Sequence, residues 1–122
     1  IMTGTYVLSS GYYDAYYSKA LKVRRLIKND YNRLFSAMDC LFIPTTSTTA
    51  FPLEHNLDDP LKMYLSDIFT VSSNLIGCPS LNIPAGTTKE KMPIGLQVVS
   101  NSFKEETLFN FAHSLNKGEL FK

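Results

Sequence analysis

The residue in this sequence whose type and position best suit chemistry is Asp67. The sequence predicts that it lies in or beside the first turn of a helix, at the edge of a long loop. A carboxylate there can simply stabilise the helix, because it interacts favourably with the helix dipole and with unpaired amides. It can also bind a cationic group of a ligand, and a charge-assisted hydrogen bond of that kind contributes about 1.5–3 kcal/mol. Physical chemistry alone favours the first role and leaves the second open.

The other reactive side chains form no recognisable catalytic or metal-binding pattern. A hydrolase needs a nucleophile, a general base and donors for the oxyanion. The sequence contains no GxSxG elbow and no HExxH motif, and neither His55 nor His113 has an acid partner in a recognisable arrangement. We therefore interpret both histidines as structural or solvent-exposed. Cys40 and Cys78 form no CxxC spacing, so we interpret them as reduced thiols. No GxGxxG or GxxxxGK[ST] loop is present, so we predict no cofactor and no metal in this chain.

The composition indicates one globular domain. The chain has 122 residues, of which 44% are hydrophobic and 19% are charged, and this balance argues against disorder. A formal net charge of +1 predicts no general attraction to nucleic acid or to acidic surfaces. No apolar run approaches the roughly 20 residues that span a bilayer, so we expect no membrane contact.

Apolar periodicity predicts the elements of the first half. A helix from about Asp14 to Met38 is indicated by an apolar stripe at steps of three and four residues. The stripe consists of Ala20, Val23, Ile27, Tyr31, Leu34 and Met38. Residues 40–43 form a short apolar run that predicts a strand covered on both faces. Residues 44–58 have turn chemistry and no periodicity, which predicts a long loop that is functional or faces a partner.

Capping signals define the elements that follow. Asp59 is an N-cap acid before a proline, so a helical region begins there and breaks near Ser66. Its stop signal is Gly77. Residues 81–83 and 94–99 then predict two strands.

A capping box predicts the last helix. Ser102 and Glu105 have the required spacing, and Gly118 lies just past the end of the apolar pattern. The order is helix, strand, helix, strand, strand, helix. We therefore predict an α/β fold in which a mixed β-sheet is flanked by helices.

Several stretches resemble a known family. Residues 4–17 read GTYVLSSGYYDAYY and residues 63–70 read MYLSDIFT, and both resemble the A subunits of glutamyl-tRNA(Gln) amidotransferases. Shorter matches at residues 44–46 and 59–61 agree. Residues 74–79 and 93–97 are similar to amidase-signature enzymes at large. The resemblance covers nearly the whole chain.

The resemblance implies a fold and an activity. Residues 1–122 would be a C-terminal part of a single amidase-signature domain, and the apolar start of the chain, which has no helix cap, also favours a piece of a longer protein. In this family a serine, a second serine in a cis peptide and a lysine form the catalytic triad, and all three would lie upstream. The family's A subunits hydrolyse glutamine, and the ammonia converts Glu-tRNA(Gln) to Gln-tRNA(Gln) in a B subunit that uses ATP and Mg. A small C subunit braces the assembly.

One residue of this chain acquires a role through the resemblance. Asp67 matches the carboxylate that binds the α-ammonium of glutamine, and the arginine that binds the α-carboxylate would fall before Ile1. No catalytic residue is expected in this chain. Residues 9–11 are similar to the small core of the family's signature, but their bulky neighbours cannot supply its tight turns, so we do not interpret them as the nucleophile.

Two alternatives stay open. The parent protein can be an amidase-signature hydrolase that acts on another small amide, or the chain can be a non-catalytic module that binds a partner. We expect the chain alone to be inactive, and to be poorly soluble or to self-associate. The expected compartment is the bacterial cytoplasm, with an organelle matrix as the alternative.

Overall fold

A computed structural model describes residues 2–8, 13–53 and 59–117. Five α-helices, one π-helix and three strands are found in these ranges. In chain order they are α1 (Met2–Val7), a π-helix (Tyr13–Tyr17), α2 (Ser18–Phe35), β1 (Cys40–Pro44), α3 (Pro60–Ser66), α4 (Val71–Ile76), β2 (Ser80–Thr87), β3 (Pro93–Ser100) and α5 (Glu105–Lys117). The predicted α/β class, with helices flanking a sheet, is confirmed.

The three strands form one sheet in the order β1-β3-β2. Both pairings are antiparallel, so the parallel pairing of a mixed sheet is not found among these strands. Val98 of β3 is the common partner, opposite Phe42 of β1 and Leu81 of β2. The prediction that β1 is covered on both faces is wrong within the described sheet, because β1 is an edge strand and Phe42 is 43% exposed. The covered strand is β3, whose last four residues are all buried.

The sheet face that carries Val98 packs against α5, and we call it the α5 face. Ile83, Val98 and Leu108 are its buried centre. Partly buried side chains surround this centre: Cys40, Leu81, Leu96, Phe111, Ala112 and Leu115. The rings of Phe42 and Phe111 meet edge to face with centroids 4.8 Å apart, which extends the contact to the edge strand. This is the main apolar core of the described residues.

Helix α2 packs against α4 rather than against the sheet. The hydroxyl of Tyr31 donates to Ser72 at 2.9 Å, and the Arg24 guanidinium donates to the Leu75 carbonyl. Four residues of the predicted apolar stripe nevertheless stay exposed: Ala20, Val23, Leu34 and Met38. The predicted helix is regular only from Ser18, because a π-helix precedes it. None of the described helices combines the length and the apolar character needed to cross a membrane.

Three predicted helix boundaries in the middle of the chain are confirmed. The Asp59 carboxylate accepts from the amides of Leu61 and Lys62 and so caps α3. Helix α3 ends at Ser66. Gly77 ends α4 with φ +67°, a left-handed conformation that glycine adopts without strain.

The predicted capping box is wrong. Helix α5 begins at Glu105, and Phe103 has φ +60°, so the chain turns before the helix starts. The Ser102 hydroxyl does not cap α5 but donates to the Gly77 carbonyl at 3.4 Å. A contact with the residue that ends α4 has therefore replaced the local interaction. Gly118 lies outside the described residues.

Candidate functional site

Asp67 lies at the end of α3 and starts a turn that leads into α4. We call residues 67–70 the Asp67 turn. The main-chain carbonyl of Asp67 accepts from the amides of Thr70 at 3.0 Å and Val71 at 3.1 Å, and from the Thr70 hydroxyl at 3.1 Å. The residue thus comes four positions before α4, slightly earlier than the sequence predicted. The start of α4 is stabilised by the main-chain oxygen of Asp67.

The Asp67 carboxylate is exposed and has no hydrogen-bond or ion-pair partner among the described residues. It does not accept from the α4 amides, so the helix-capping interaction that could explain an acid here is not made by the side chain. An exposed carboxylate at a defined turn can accept hydrogen bonds from an ammonium group. This arrangement is compatible with the predicted role in substrate binding.

A glutamine from the central strand supports the Asp67 turn. Gln97 is 4% exposed, and its side-chain amide donates to the main-chain carbonyl of Phe69 at 3.1 Å. Within the turn and α4, the Thr70 carbonyl accepts from the Ser73 hydroxyl and from the Asn74 side-chain amide, both at 2.9 Å. The turn is thereby bonded both to itself and to the sheet.

A cleft of about 430 Å³ lies beside the Asp67 turn. It is lined by Ser47, Thr48, Thr49, Ala50, Phe51, Pro52, Lys62, Leu65 and Ser66. The Ser47 hydroxyl donates to the Leu65 carbonyl at 3.2 Å and so joins the loop after β1 to α3. Asp67 follows Ser66 directly but is not itself part of the lining. The volume is in the range of small-molecule sites, and the walls carry several hydroxyl groups.

The sheet face opposite α5 is polar near this site. Side chains alternate across a strand, so Gln97 and its cross-strand partner Asn82 lie on the face opposite Val98. The Thr45 hydroxyl donates to the Asn82 side-chain oxygen. A Cβ at Gly95 would meet that oxygen at 2.6 Å and the Thr45 hydroxyl at 2.9 Å, so only glycine leaves room. Sequence reasoning missed this cluster, although a glutamine in an otherwise apolar strand was a signal.

The other candidates do not join this site. His113 is exposed on α5, which packs against the other face of the sheet. Burial raises the pKa of the Cys40 thiol, and the nearby Asp39 carboxylate raises it further. The Cys78 sulfur lies 3.7 Å from the Ser102 hydroxyl. His55 and residues 9–11 are outside the described residues. In the described ranges, no cluster of three or more His, Cys, Asp or Glu side chains could hold a metal ion.

Comparison with known proteins gives consistent results. The model of the family described as Amidase matches residues 1–109. In Clostridium acetobutylicum, the glutamyl-tRNA(Gln) amidotransferase A subunit numbered 1 is 56% identical over 114 residues, which is 93% of this chain and 23% of the relative. The A subunit from Pelagibacter ubique is 48% identical over 122 residues, which is 100% of this chain and 25% of the relative.

A solved structure extends this likeness to the fold. The crystal structure of the glutamyl-tRNA(Gln) amidotransferase A subunit from Thermotoga maritima is similar with a TM-score of 0.80 and 40% identity. The likeness covers 95% of this chain and 25% of that chain. The 122 residues therefore span about a quarter of the length of the relatives they match.

Proposed function

The chain belongs to the amidase family, and from this premise we propose that it forms the glutamine-binding part of a longer amidotransferase A subunit. The observation that carries the proposal is the exposed carboxylate of Asp67, which has no partner among the described residues and lies on a turn that is bonded to the sheet. Identities of 48–56% to named A subunits support this substrate over a generic amide. The catalytic serines and lysine would belong to the part of the protein outside these 122 residues.

The chemistry of glutamine explains why a carboxylate is useful here. Free glutamine carries an α-ammonium group, whereas a simple amide has no such charge. Each charge-assisted hydrogen bond from the ammonium to Asp67 would contribute about 1.5–3 kcal/mol. Asp67 would hold the substrate and take no part in bond breaking. Its role is therefore specificity and affinity for an amino acid.

The whole protein would hydrolyse the side-chain amide of glutamine. A serine outside these residues attacks the amide carbon, ammonia leaves, and water then releases glutamate and restores the serine. We propose that the ammonia passes to a B subunit, which uses ATP and Mg to convert Glu-tRNA(Gln) to Gln-tRNA(Gln), and that a C subunit braces the heterotrimer. The proposed compartment is the bacterial cytoplasm. None of the ATP chemistry would use residues of this chain.

The test is the substitution Asp67→Asn in the full-length protein, assembled with its partner subunits. The KM for glutamine should rise about 10- to 150-fold while kcat changes little, because one charge-assisted contact is lost. Amidation driven by added ammonium chloride should be unaffected, because it bypasses glutamine. An unchanged KM for glutamine would contradict the proposal and favour another small amide as the substrate.

Asp59→Asn is the matched control for this experiment. It neutralises another acid at the opposite end of α3, and asparagine keeps the N-cap that the Asp59 side chain makes. Its KM for glutamine should stay within twofold of the unmodified protein. A separate measurement uses the 122-residue chain alone, which should release no ammonia from glutamine above a mock preparation. Release above that background would place a nucleophile within these residues.

A further inference from the structure

Gln97 occupies a position where a polar side chain needs a reason. It lies on the central strand β3, and the three residues that follow it, Val98, Val99 and Ser100, are each 0% exposed. Burying an amide costs free energy unless it is hydrogen-bonded, and an apolar residue would fill such a position without that cost. Gln97 recovers the cost by donating to the Phe69 carbonyl at 3.1 Å. Because Phe69 belongs to the Asp67 turn, this hydrogen bond joins the buried Gln97 side chain to that turn.

The carbonyls of the Asp67 turn accept two kinds of hydrogen bond. The carbonyls of Asp67 and Thr70 accept from groups within the turn and α4, which fixes the local shape of the turn. The Phe69 carbonyl accepts from Gln97, 28 positions away in sequence. Local bonds cannot set how the turn lies relative to the sheet. Among the described residues, the Gln97 bond is the hydrogen bond that joins this turn to a strand.

We propose that Gln97 is a positioning residue for the Asp67 carboxylate, an inference that rests on the proposed binding of glutamine. Phe69 is two residues from Asp67 in the same turn, so fixing the Phe69 carbonyl restricts where the Asp67 carboxylate can lie. A charged contact to an ammonium group depends on position within fractions of an ångström, and binding groups are most accurate when rigid elements hold them. Gln97 transfers the rigidity of β3 to the Asp67 turn. In this role it would act through Asp67 and would contact neither the substrate nor the reacting atoms.

The experiment is a double-mutant cycle in the full-length protein with its partner subunits. Gln97→Met keeps the length of the side chain and removes the donor. The KM for glutamine should rise about 3- to 30-fold with little change in kcat, which is less than the ~100-fold that a 1 Å misplacement can cost. In a protein that already carries Asp67→Asn, the same substitution should raise KM less than twofold, because the positioned group is gone. A role in folding alone predicts no such dependence on Asp67.

Ser100→Ala is the matched control, because Ser100 is buried on the same strand and its hydroxyl donates to the Lys104 carbonyl at 2.9 Å. It should lower stability and leave the KM for glutamine unchanged. Gln97→Asn is a second variant, which keeps a polar amide but is one methylene too short to reach Phe69, and it should act as Gln97→Met does. The inference is overturned if these Gln97 variants leave KM unchanged, or raise it equally with and without Asp67. If Asp67→Asn alone leaves KM unchanged, the proposed function is overturned as well.

Discussion

The hydroxyl of Tyr31 donates to the hydroxyl of Ser72 at 2.9 Å, which bonds the side of α2 to the first turns of α4. A second bond, from the Arg24 guanidinium to the Leu75 carbonyl, lies about two turns nearer the start of α2 and about one turn further along α4. Helix α4 follows the Asp67 turn directly. Helix α2 therefore stabilises the position of α4, the element that comes immediately after Asp67 and its candidate substrate-binding carboxylate.

Replacing Tyr31 by Phe should destabilise the protein modestly. The ring stays and the hydroxyl is lost, so the free energy of unfolding should fall by about 0.5–1.5 kcal/mol, the usual net value of one hydrogen bond. Urea unfolding of the full-length protein measures the change. Tyr64→Phe is the control, because Tyr64 is 79% exposed and should shift the midpoint by much less. Equal shifts for the two variants would show that the bond to Ser72 contributes nothing.

Replacing Gly95 by Ala should destabilise the protein by about 1–3 kcal/mol, the usual cost of overpacking. The new Cβ would meet the Asn82 side-chain oxygen at 2.6 Å and break its bond with Thr45. Adding Asn82→Ala should restore part of the loss, because the closest clashing atom is removed. Gly4→Ala is the control, since a Cβ at Gly4 meets nothing within 4 Å. Equal destabilisation at both glycines would contradict the clash. Thermal unfolding of these three variants and of the unmodified protein measures the differences.

The Cys40 thiol should react slowly at neutral pH. Burial raises its pKa above the ordinary value of 9.0, and the Asp39 carboxylate raises it further. Since the thiolate is the reactive form, a raised pKa lowers the rate at a given pH and moves the midpoint of the pH–rate profile to higher pH. Iodoacetamide labelling of the Cys40 peptide, followed by mass spectrometry from pH 7 to about 10.5, measures this profile. Asp39→Asn should move it to lower pH. A profile at or below that of an unstructured cysteine peptide would contradict the prediction.

The 122-residue chain produced alone should self-associate. An apolar groove of about 410 Å³ lies between α2 and α4, and Val23 on its wall is 49% exposed. Exposed apolar grooves of this kind drive association, so sedimentation velocity should show oligomers that grow with concentration. Val23→Glu should reduce them, whereas Leu26→Glu, at a position that is 64% exposed and outside the groove lining, should have a smaller effect. A monodisperse monomer at high concentration would contradict the prediction.

Sequence reasoning succeeded where the interacting groups are neighbours in the chain. The Asp59 carboxylate caps amides two and three residues away, and Gly77 ends α4 through its own left-handed conformation. Such interactions need no knowledge of the fold. The same reasoning failed for Ser102. The spacing to Glu105 predicted a local capping box, but the Ser102 hydroxyl donates to the carbonyl of Gly77, 25 positions away.

The sheet likewise separates local features, which the sequence predicted, from long-range ones, which it did not. The apolar run at β1 predicted a strand correctly, but not that β1 would lie at the edge of the described sheet with Phe42 half-exposed. Periodicity reports which residues are apolar, and strand order decides which of them are covered. The central position of β3 follows from its two antiparallel pairings, which depend on the whole chain.

By itself, the sequence determined the family, the helix and strand content and the single carboxylate worth testing, because these depend on residue types and short spacings. The tertiary structure alone decided what surrounds Asp67. It showed that the carboxylate makes no bond to the α4 amides, and that Gln97 holds the Asp67 turn from a strand 28 positions away. Hydrogen bonds between distant segments leave no periodic trace in a sequence, since each partner satisfies the other only after the chain has folded.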